Sequence, residues 1–359
     1  MTTRTRYFVI ASLLVLGVGL GTGLVAYYVG FPAGALGRQG GPDELAFVPR
    51  NVSAVAFADV HAVMSSDLRQ KLRRALPAHE NGQKELENQT GINLETDVDR
   101  VVACLYAGGD SLTKGAGMVL ARGRFDEVKI EALMREHGAH VEDYNGKRLI
   151  VADDIQSDRR RTAPDTADMP GTDTPAPART PTSLSLSFLE PGLAAIGSTQ
   201  LIRQAIDLHH AGNNPQTGLE SVTGNDELMN LVRSIDDSNA WAVGRFDALR
   251  AQAHLPEGLA QLPAITWVSL SGHVNGGIRG VLRAEARDDE AANNLRDVVR
   301  GFLALAKMSS GARPELQLMM QSLELSGTGK TVGLSFAVPG EVFDIVGAVA
   351  NKAVKPEAH

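Results

Sequence analysis

Residues 7–30, YFVIASLLVLGVGLGTGLVAYYVG, carry no charged side chain, and this constrains the chain more than any other feature. A helix over this run, at a rise of ~1.5 Å per residue, is about 36 Å long, against ~30 Å of hydrocarbon in a bilayer. Tyr7 at one end and Tyr27 and Tyr28 at the other stand where interfacial aromatics belong. The reading is an uncleaved signal-anchor. The alternative is a cleaved signal peptide: its apolar region is usually only ~7–15 residues long, yet Ala33, Gly34 and Ala35 resemble a cleavage site. Gly17-x-x-x-Gly21 and Gly19-x-x-x-Gly23 match the small-residue motif of packed membrane helices, a match that a glycine-rich run also produces by chance. Arg4 and Arg6 precede the run and only Arg38 lies close beyond it, so the positive-inside rule puts the N-terminus in the cytoplasm and residues 31–359 outside. No later stretch is long enough to return; Val342–Val349 is short and contains Asp344.

The organisation expected is a tail at 1–6, a transmembrane helix at 7–30, a Gly/Pro-rich stalk at 31–42, a first repeat at 43–212, a second at 213–352 and a tail at 353–359. Within the first repeat, residues 156–182 are rich in Pro, Thr, Asp and Arg. They hold too little apolar surface to offset the entropy of ordering and read as a disordered insertion.

The exterior part reads as α+β. Val52–Ala58 is a strand, with Asp59 capping a helix expected to run to Leu76. Val101–Ala107 and 117–124 are neighbouring strands. Asp126 caps a helix whose apolar side is Val128, Ile130, Leu133 and Met134, and Asn145-Gly146 closes a hairpin between His140–Tyr144 and Lys147–Ala152. Leu184–Phe188 and Leu193–Gly197 continue the sheet, and a helix starts at Thr199. The second part runs a similar programme. It has a strand at Ala240–Phe246 ending at Asp247, a hairpin 265–286 across Asn275-Gly276, and a helix opened by Asp288 and Asp289 with Leu295, Val298, Val299, Phe302 and Leu303 at helical spacing. A second hairpin, 316–338, and a last helix from about Gly340 to Val349 complete it. Each half is roughly β-α-β-β-α-β-β-α, with largely antiparallel sheets, and duplication is inferred from order and spacing. The string Gly-Arg-Phe-Asp occurs at 123–126 and 244–247, but at different points of the two programmes.

Chemistry-bearing motifs are poor. Ser326–Thr331 resembles the end of a phosphate-binding loop, but Glu324 stands where glycine is needed and a strand follows instead of a helix. His137 and His140 are split by Gly138, and the adjacent His209 and His210 do not face one ion from a helix, so no metal site is expected. Asp153-Asp154, Asp236-Asp237 and Asp288-Asp289 sit at turns or helix starts, where capping explains them. Ser111-Leu112-Thr113-Lys114 lies in a glycine-rich turn, and Met319 and Met320 in an expected strand. Cys104, the one cysteine, reads as a buried strand thiol. Asn51 and Asn88 head short glycosylation-type triplets that carry no weight here. No catalytic residue, cofactor or metal ligand is therefore expected. Past residue 30 the chain holds 33 basic against 42 acidic residues, and an acidic exterior disfavours nucleic acid.

The anchor at 7–30, the opening Asp43-Glu44-Leu45-Ala46-Phe47-Val48-Pro49 and the strand-to-helix step at Asp59 resemble uncharacterised bacterial membrane-anchored envelope proteins. The resemblance implies an envelope location and a non-enzymatic role. The reading is a non-catalytic binding or assembly module facing the periplasm, whose partners are the membrane through residues 7–30 and an envelope protein. Carriage of an apolar ligand or lipid is the first alternative and a hydrolase built from scattered Asp and His the second.

Overall fold

The computed structural model describes residues 41–69, 87–88, 90–106, 116–152, 183–212, 218–235, 238–248, 264–309 and 319–340. The expected anchor at 7–30, stalk, insertion at 156–182 and last helix beyond Gly340 lie outside them. Among the described residues no helix is long and apolar enough to cross a membrane.

The α+β class is observed, built around one antiparallel sheet. Its strands are β1 (Ala54–Asp59), β2 (Val98–Tyr106), β3 (Ala116–Gly123), β4 (His140–Tyr144), β5 (Lys147–Ala152), β6 (Leu184–Glu190) and β7 (Leu193–Ser198). They continue with β8 (Ala240–Arg245), β9 (Ile265–Val274), β10 (Ile278–Ala286), β11 (Glu324–Ser326) and β12 (Thr331–Val338). The described helices are α1 (Val60–Ser65), α2 (Leu94–Asp97), α3 (Glu127–Glu136), α4 (Thr199–Ala211), α5 (Asp226–Arg233) and α6 (Asp289–Ser309), with a 3-10 turn at Asp43–Phe47.

The strand order is β11-β12-β10-β9-β8-β1-β2-β3-β7-β6-β5-β4. Read outward from the β1/β8 seam, it runs β1-β2-β3-β7-β6 one way and β8-β9-β10-β12-β11 the other. The hairpin β4–β5 is an addition on the first side only. At the seam Val55 lies opposite Val243 and Phe57 opposite Trp241, whose rings stack with centroids 5.8 Å apart. The sheet thus runs unbroken across the expected boundary at 212/213.

Period-2 alternation gives the sheet two faces. On one, Val55, Phe57, Val102, Cys104, Met118, Leu120, Leu149, Val151, Trp241 and Val243 form the main core. It is closed by α4, whose Leu201, Ile202, Ala205 and Ile206 are buried, by α5 through Leu228, Met229 and Val232, and by Leu45 of the 3-10 turn. On the other face α1 packs on Val101, Ala103 and Val119, α3 on Ile150 and Leu186, and α6 on Ala286 and Val332.

Local chemistry accounts for the element ends. Asp59 accepts a hydrogen bond from Ala62 N and Asp126 one from Lys129 N, each satisfying an orphan donor of the first turn. Asn145 (φ 48°) and Gly146 (φ 74°) both take the left-handed conformation that a two-residue hairpin of matching twist requires.

Several expectations are corrected. The helix after Asp59 stops at Ser65; Ser66 turns extended and its hydroxyl accepts from Arg69 N, starting a new turn. Val128 is 81% exposed, because it stands ~200° around the helix from Ile130, the buried residue of α3. Val298 and Phe302 are exposed as well, at 38% and 59%; among the described side chains α6 buries Ala291, Ala292 and Leu295 against the sheet, with Val299 partly buried beside them. Residues 319–321 are helical and the strand begins only at Glu324, so Met319 and Met320 are not in a strand. Ser322 causes this: its hydroxyl lies 2.7 Å from Met319 O and closes the turn.

Candidate functional site

The face that carries the main core changes character between β8 and β9. Registered pairs put Trp241 beside Ser271 and Val243 beside Ser269. Beyond that line the same face shows rows that cross three strands. Ser271, Val281 and Ser335 form one row and His273, Arg279 and Ala337 the next. On the other side of the first row come Ser269, Arg283 and Gly333, then Trp267, Glu285 and Thr331. Residues two apart on a strand share a face, so these side chains rise from one surface, with strands ~4.8 Å apart. The first half of the sheet buries this face under α4. In the second half it is lined by hydroxyls and charges.

The two rows around Val281 floor an open cleft of about 380 Å³. Ser238, Ser271, His273, Arg279 and Ser335 line it, and no carboxylate is among the described lining residues. Arg279 is exposed and forms no ion pair among the described residues. The neighbouring charges are already engaged. Glu285 accepts from Thr331 Oγ1 at 2.8 and 3.0 Å, and Arg283 Nη1 donates to Ser234 O at 2.8 Å. Ser322 closes one wall, accepting from Ala337 N at 2.8 Å with its oxygen 2.9 Å from Ala337 O. Its hydroxyl is fully used, whereas those of Ser271 and Ser335 bond to no other described residue.

A second polar cluster lies where the chain enters the sheet. Glu44, 1% exposed, accepts at Oε1 from Arg100 Nε (3.0 Å) and Arg122 Nε (2.9 Å), while its Oε2 is buried without a partner. Arg122 also donates to Glu190 Oε2 from both terminal nitrogens at 3.2 Å. Burial pulls the Arg122 guanidinium down, but its bonds to Glu44 and Glu190 raise its pKa above the ordinary value. His209 stands 4.0 Å from Glu190 and tilts against the Phe47 ring. Burial, then Lys147, holds its pKa below the usual value. This cluster fastens the 3-10 turn to β2 and β3; its carboxylates are occupied by guanidinium groups and leave no convergent acid and base.

A third cluster covers the outer edge at β4. Tyr144 OH donates to Asp207 at 3.1 Å, Arg203 lies over the Tyr144 ring, and Arg203 Nη2 donates to Glu142 at 2.8 Å. An open cleft of about 650 Å³ wraps this edge and takes in Glu142 and Asp143. These two carboxylates are adjacent on a strand and point to opposite faces, so they do not form a hydrolytic pair.

The residues weighed in the sequence fall as follows. Cys104 is fully buried, which pushes its thiol up to about 12. His137 ends α3 with Nδ1 2.7 Å from Leu133 O, and His140 pairs with Glu142 at 3.2 Å. His209 is half-buried instead of exposed at its helix end, and His210 is exposed. Asp288 caps α6 through Ala291 N at 2.8 Å. Residues 326–331 form a hairpin turn, with Gly327 and Gly329 at positive φ and Arg296 donating to Gly329 O and Thr331 O. Ser111–Lys114, Asp153-Asp154 and Asp236-Asp237 lie outside the described residues. Among the described residues no group of three His, Cys, Asp or Glu is placed to hold a metal. The cleft residues Ser271, Arg279 and Ser335 were not singled out in the sequence. The signal was the polar parity of the two strands 265–286, where every second residue from Trp267 to His273 faces the cleft side.

No family model matches the chain, and no curated protein does. A solved structure, crystal form I of TP0453, aligns over 86% of this chain and 98% of its own length, with a TM-score of 0.44 and 8% identity. A likeness at that level carries no conclusion about fold family or activity.

Proposed function

We propose that this protein is a non-catalytic binding module of the bacterial envelope, held at the membrane by residues 7–30 and exposing its sheet outside the cytoplasm. One observation carries the binding role: the same sheet face is a sealed apolar core in the first half, whereas in the second it carries hydroxyls and arginines and opens in a cleft of about 380 Å³ beside Arg279. A half-face that serves stability alone would be expected to be apolar and covered, like its counterpart under α4. The resemblance to membrane-anchored envelope proteins, and the uncharged run at 7–30, support the placement. The matching strand orders on the two sides of the β1/β8 seam support a duplicated unit, with 43–212 and 213–352 as its copies. Neither described cleft is an enclosed apolar cavity, so no observation favours carriage of an apolar ligand.

The test has two arms on the full chain in its native envelope. Protease added to spheroplasts should digest the 43–352 region and spare it in intact cells; a product recovered from cytosol and resistant in spheroplasts would refute the placement. A photo-crosslinking residue at Val281 should capture a defined partner or ligand, and one at exposed Val128 should not. Equal capture of bulk lipid and abundant bystanders from both sites would refute a binding role for the open half-face.

A further inference from the structure

We propose that the cleft over β9, β10 and β12 binds an oxyanion, a phosphate or carboxylate borne by a small ligand, with Arg279 as its countercharge. The inference rests on the open half-face being a binding surface and names what it takes.

Charge argues for it first. The chain carries 42 acidic against 35 basic residues, yet the described lining residues include one arginine and one histidine and no acid. Arg279 projects from the middle strand of the three, flanked in its row by His273 and Ala337. Glu324, the acid nearest in register, stands opposite Ser335 on β11 but does not line the cleft. Glu285, two rows farther, is held by Thr331.

Geometry argues for it next. The Arg279 row adjoins the row that holds Ser271 and Ser335, two strand spacings apart, ~9–10 Å, and continues to Trp241 on β8 and Glu324 on β11. Val281 stands between them, so an oxygen cluster resting over it faces one hydroxyl on each side and the guanidinium at one end. Ser271 is held rigid in the sheet, 9% exposed, and its hydroxyl has no bond to another described residue. Hydroxyls that can turn to donate, beside a planar cation with forked N–H groups, suit an oxyanion. A volume of about 380 Å³ sets the scale of the ligand: a charged group with a modest body, within the usual ~300–1,000 Å³ of small-molecule sites. Ser322 is satisfied by the β12 backbone and shapes the wall without contacting the ligand.

The experiment is equilibrium dialysis of the full chain in detergent against labelled inorganic phosphate, and separately labelled acetate, at fixed ionic strength. One saturable site is expected for at least one probe. Phosphate binding alone indicates a phosphate-bearing ligand and acetate binding alone a carboxylate; either supports the site. Arg279→Gln should weaken the binding at least about tenfold, the usual loss for a charged donor, and the pair Ser271→Ala/Ser335→Ala should weaken it as well. Arg300→Gln, on the exposed side of α6, should leave it unchanged. All these variants are expected to fold, since Arg279 and Arg300 are exposed and the serine changes remove one oxygen each. Absence of saturable binding of both probes, or binding indifferent to Arg279→Gln, would overturn the proposal. Absence of binding together with specific capture from Val281 leaves the half-face a binding surface for another chemistry; absence of both removes the surface as well.

Discussion

Replacing Glu44 with alanine tests what holds the start of the folded region to the sheet. Glu44 is 1% exposed, and a single carboxylate oxygen takes both Arg100 Nε at 3.0 Å and Arg122 Nε at 2.9 Å. Removing one member of a buried ion pair usually costs ~3–5 kcal/mol, because the remaining charge is stranded. Here the remaining charges are not fully stranded. The Arg100 side chain is 38% exposed and can rehydrate, and Arg122 keeps Glu190. The low end, ~3 kcal/mol, is therefore expected. At ~2 °C per kcal/mol for a chain of this size, that is a fall of about 6 °C in Tm. Trp241 is buried in the core that the 3-10 turn covers, and Trp267 packs against it, so intrinsic fluorescence in urea reads the change directly. The midpoint should drop with an unchanged slope. A cycle with Arg100→Ala should show coupling above ~0.5 kcal/mol, as for groups in contact. A loss below ~1 kcal/mol, or zero coupling, would refute the reasoning, since neighbouring contacts, and not this carboxylate, would then fix the turn.

Three other perturbations follow from single contacts. Cys104, with its thiol pushed up to about 12 by burial, should resist a thiol reagent in the native state and react stoichiometrically in denaturant; native labelling within minutes would show that β2 opens. Gly197→Ala would set a Cβ 2.3 Å from Gly117 O and 2.7 Å from Met118 Cα, both backbone, so a loss of ~2 kcal/mol or more in urea is expected where β7 must shift from β3. Burial raises the Asp59 carboxyl above 3.8, its backbone bond from Ala62 only partly offsetting this. The folded state thus holds that proton more tightly than the unfolded one, and the resulting stability is present at low pH and lost as pH rises through the raised value. Asp59→Asn keeps the cap without the charge. It should therefore gain on the natural protein between acid and neutral pH, whereas Asp59→Ala should lose ~1 kcal/mol at acid pH, a deficit that shrinks as pH rises through the raised value. A pH-independent difference for Asp59→Asn would contradict the assigned cause.

What the sequence revealed was local, and what it concealed was long-range. Asn145-Gly146 announced its hairpin because the turn itself demands two left-handed residues, and Asp59 and Asp126 announced helices because an acid before an amphipathic run has an immediate backbone partner. The strands 265–286 were legible as a hairpin from Asn275-Gly276, but the meaning of their polar parity was not. That depended on which face α4 seals, and nothing within the hairpin encodes this. Glu44 stood unremarked in the opening string, because its partners are 56 and 78 residues away. The run 316–325 read as one arm of a hairpin, but residues 319–321 are helical, with the Ser322 hydroxyl closing a turn on Met319.

The contrast between the two sides of the seam bears most directly on function. Both sides place five strands in the same order, so backbone topology alone gives no reason for one half-face to be oily and the other polar. The first side carries Leu149, Val151, Leu193 and Ala195 under the buried residues of α4, and the added hairpin β4–β5 widens the covered area. The second side carries Ser269, Ser271, Ser335, Arg279 and Arg283 at comparable depth in the sheet. Serine in a strand centre contributes little packing, and Arg279 forms no ion pair among the described residues. Ser269 and Ser271 are already 4% and 9% exposed, so valine there would bury apolar surface at roughly 25 cal/mol per Å² in place of a hydroxyl. Keeping hydroxyls there, with a guanidinium that pairs with no described residue, forgoes that stabilisation. Such a loss is intelligible if the proposed binding role is right and the cleft around Arg279 receives a polar ligand.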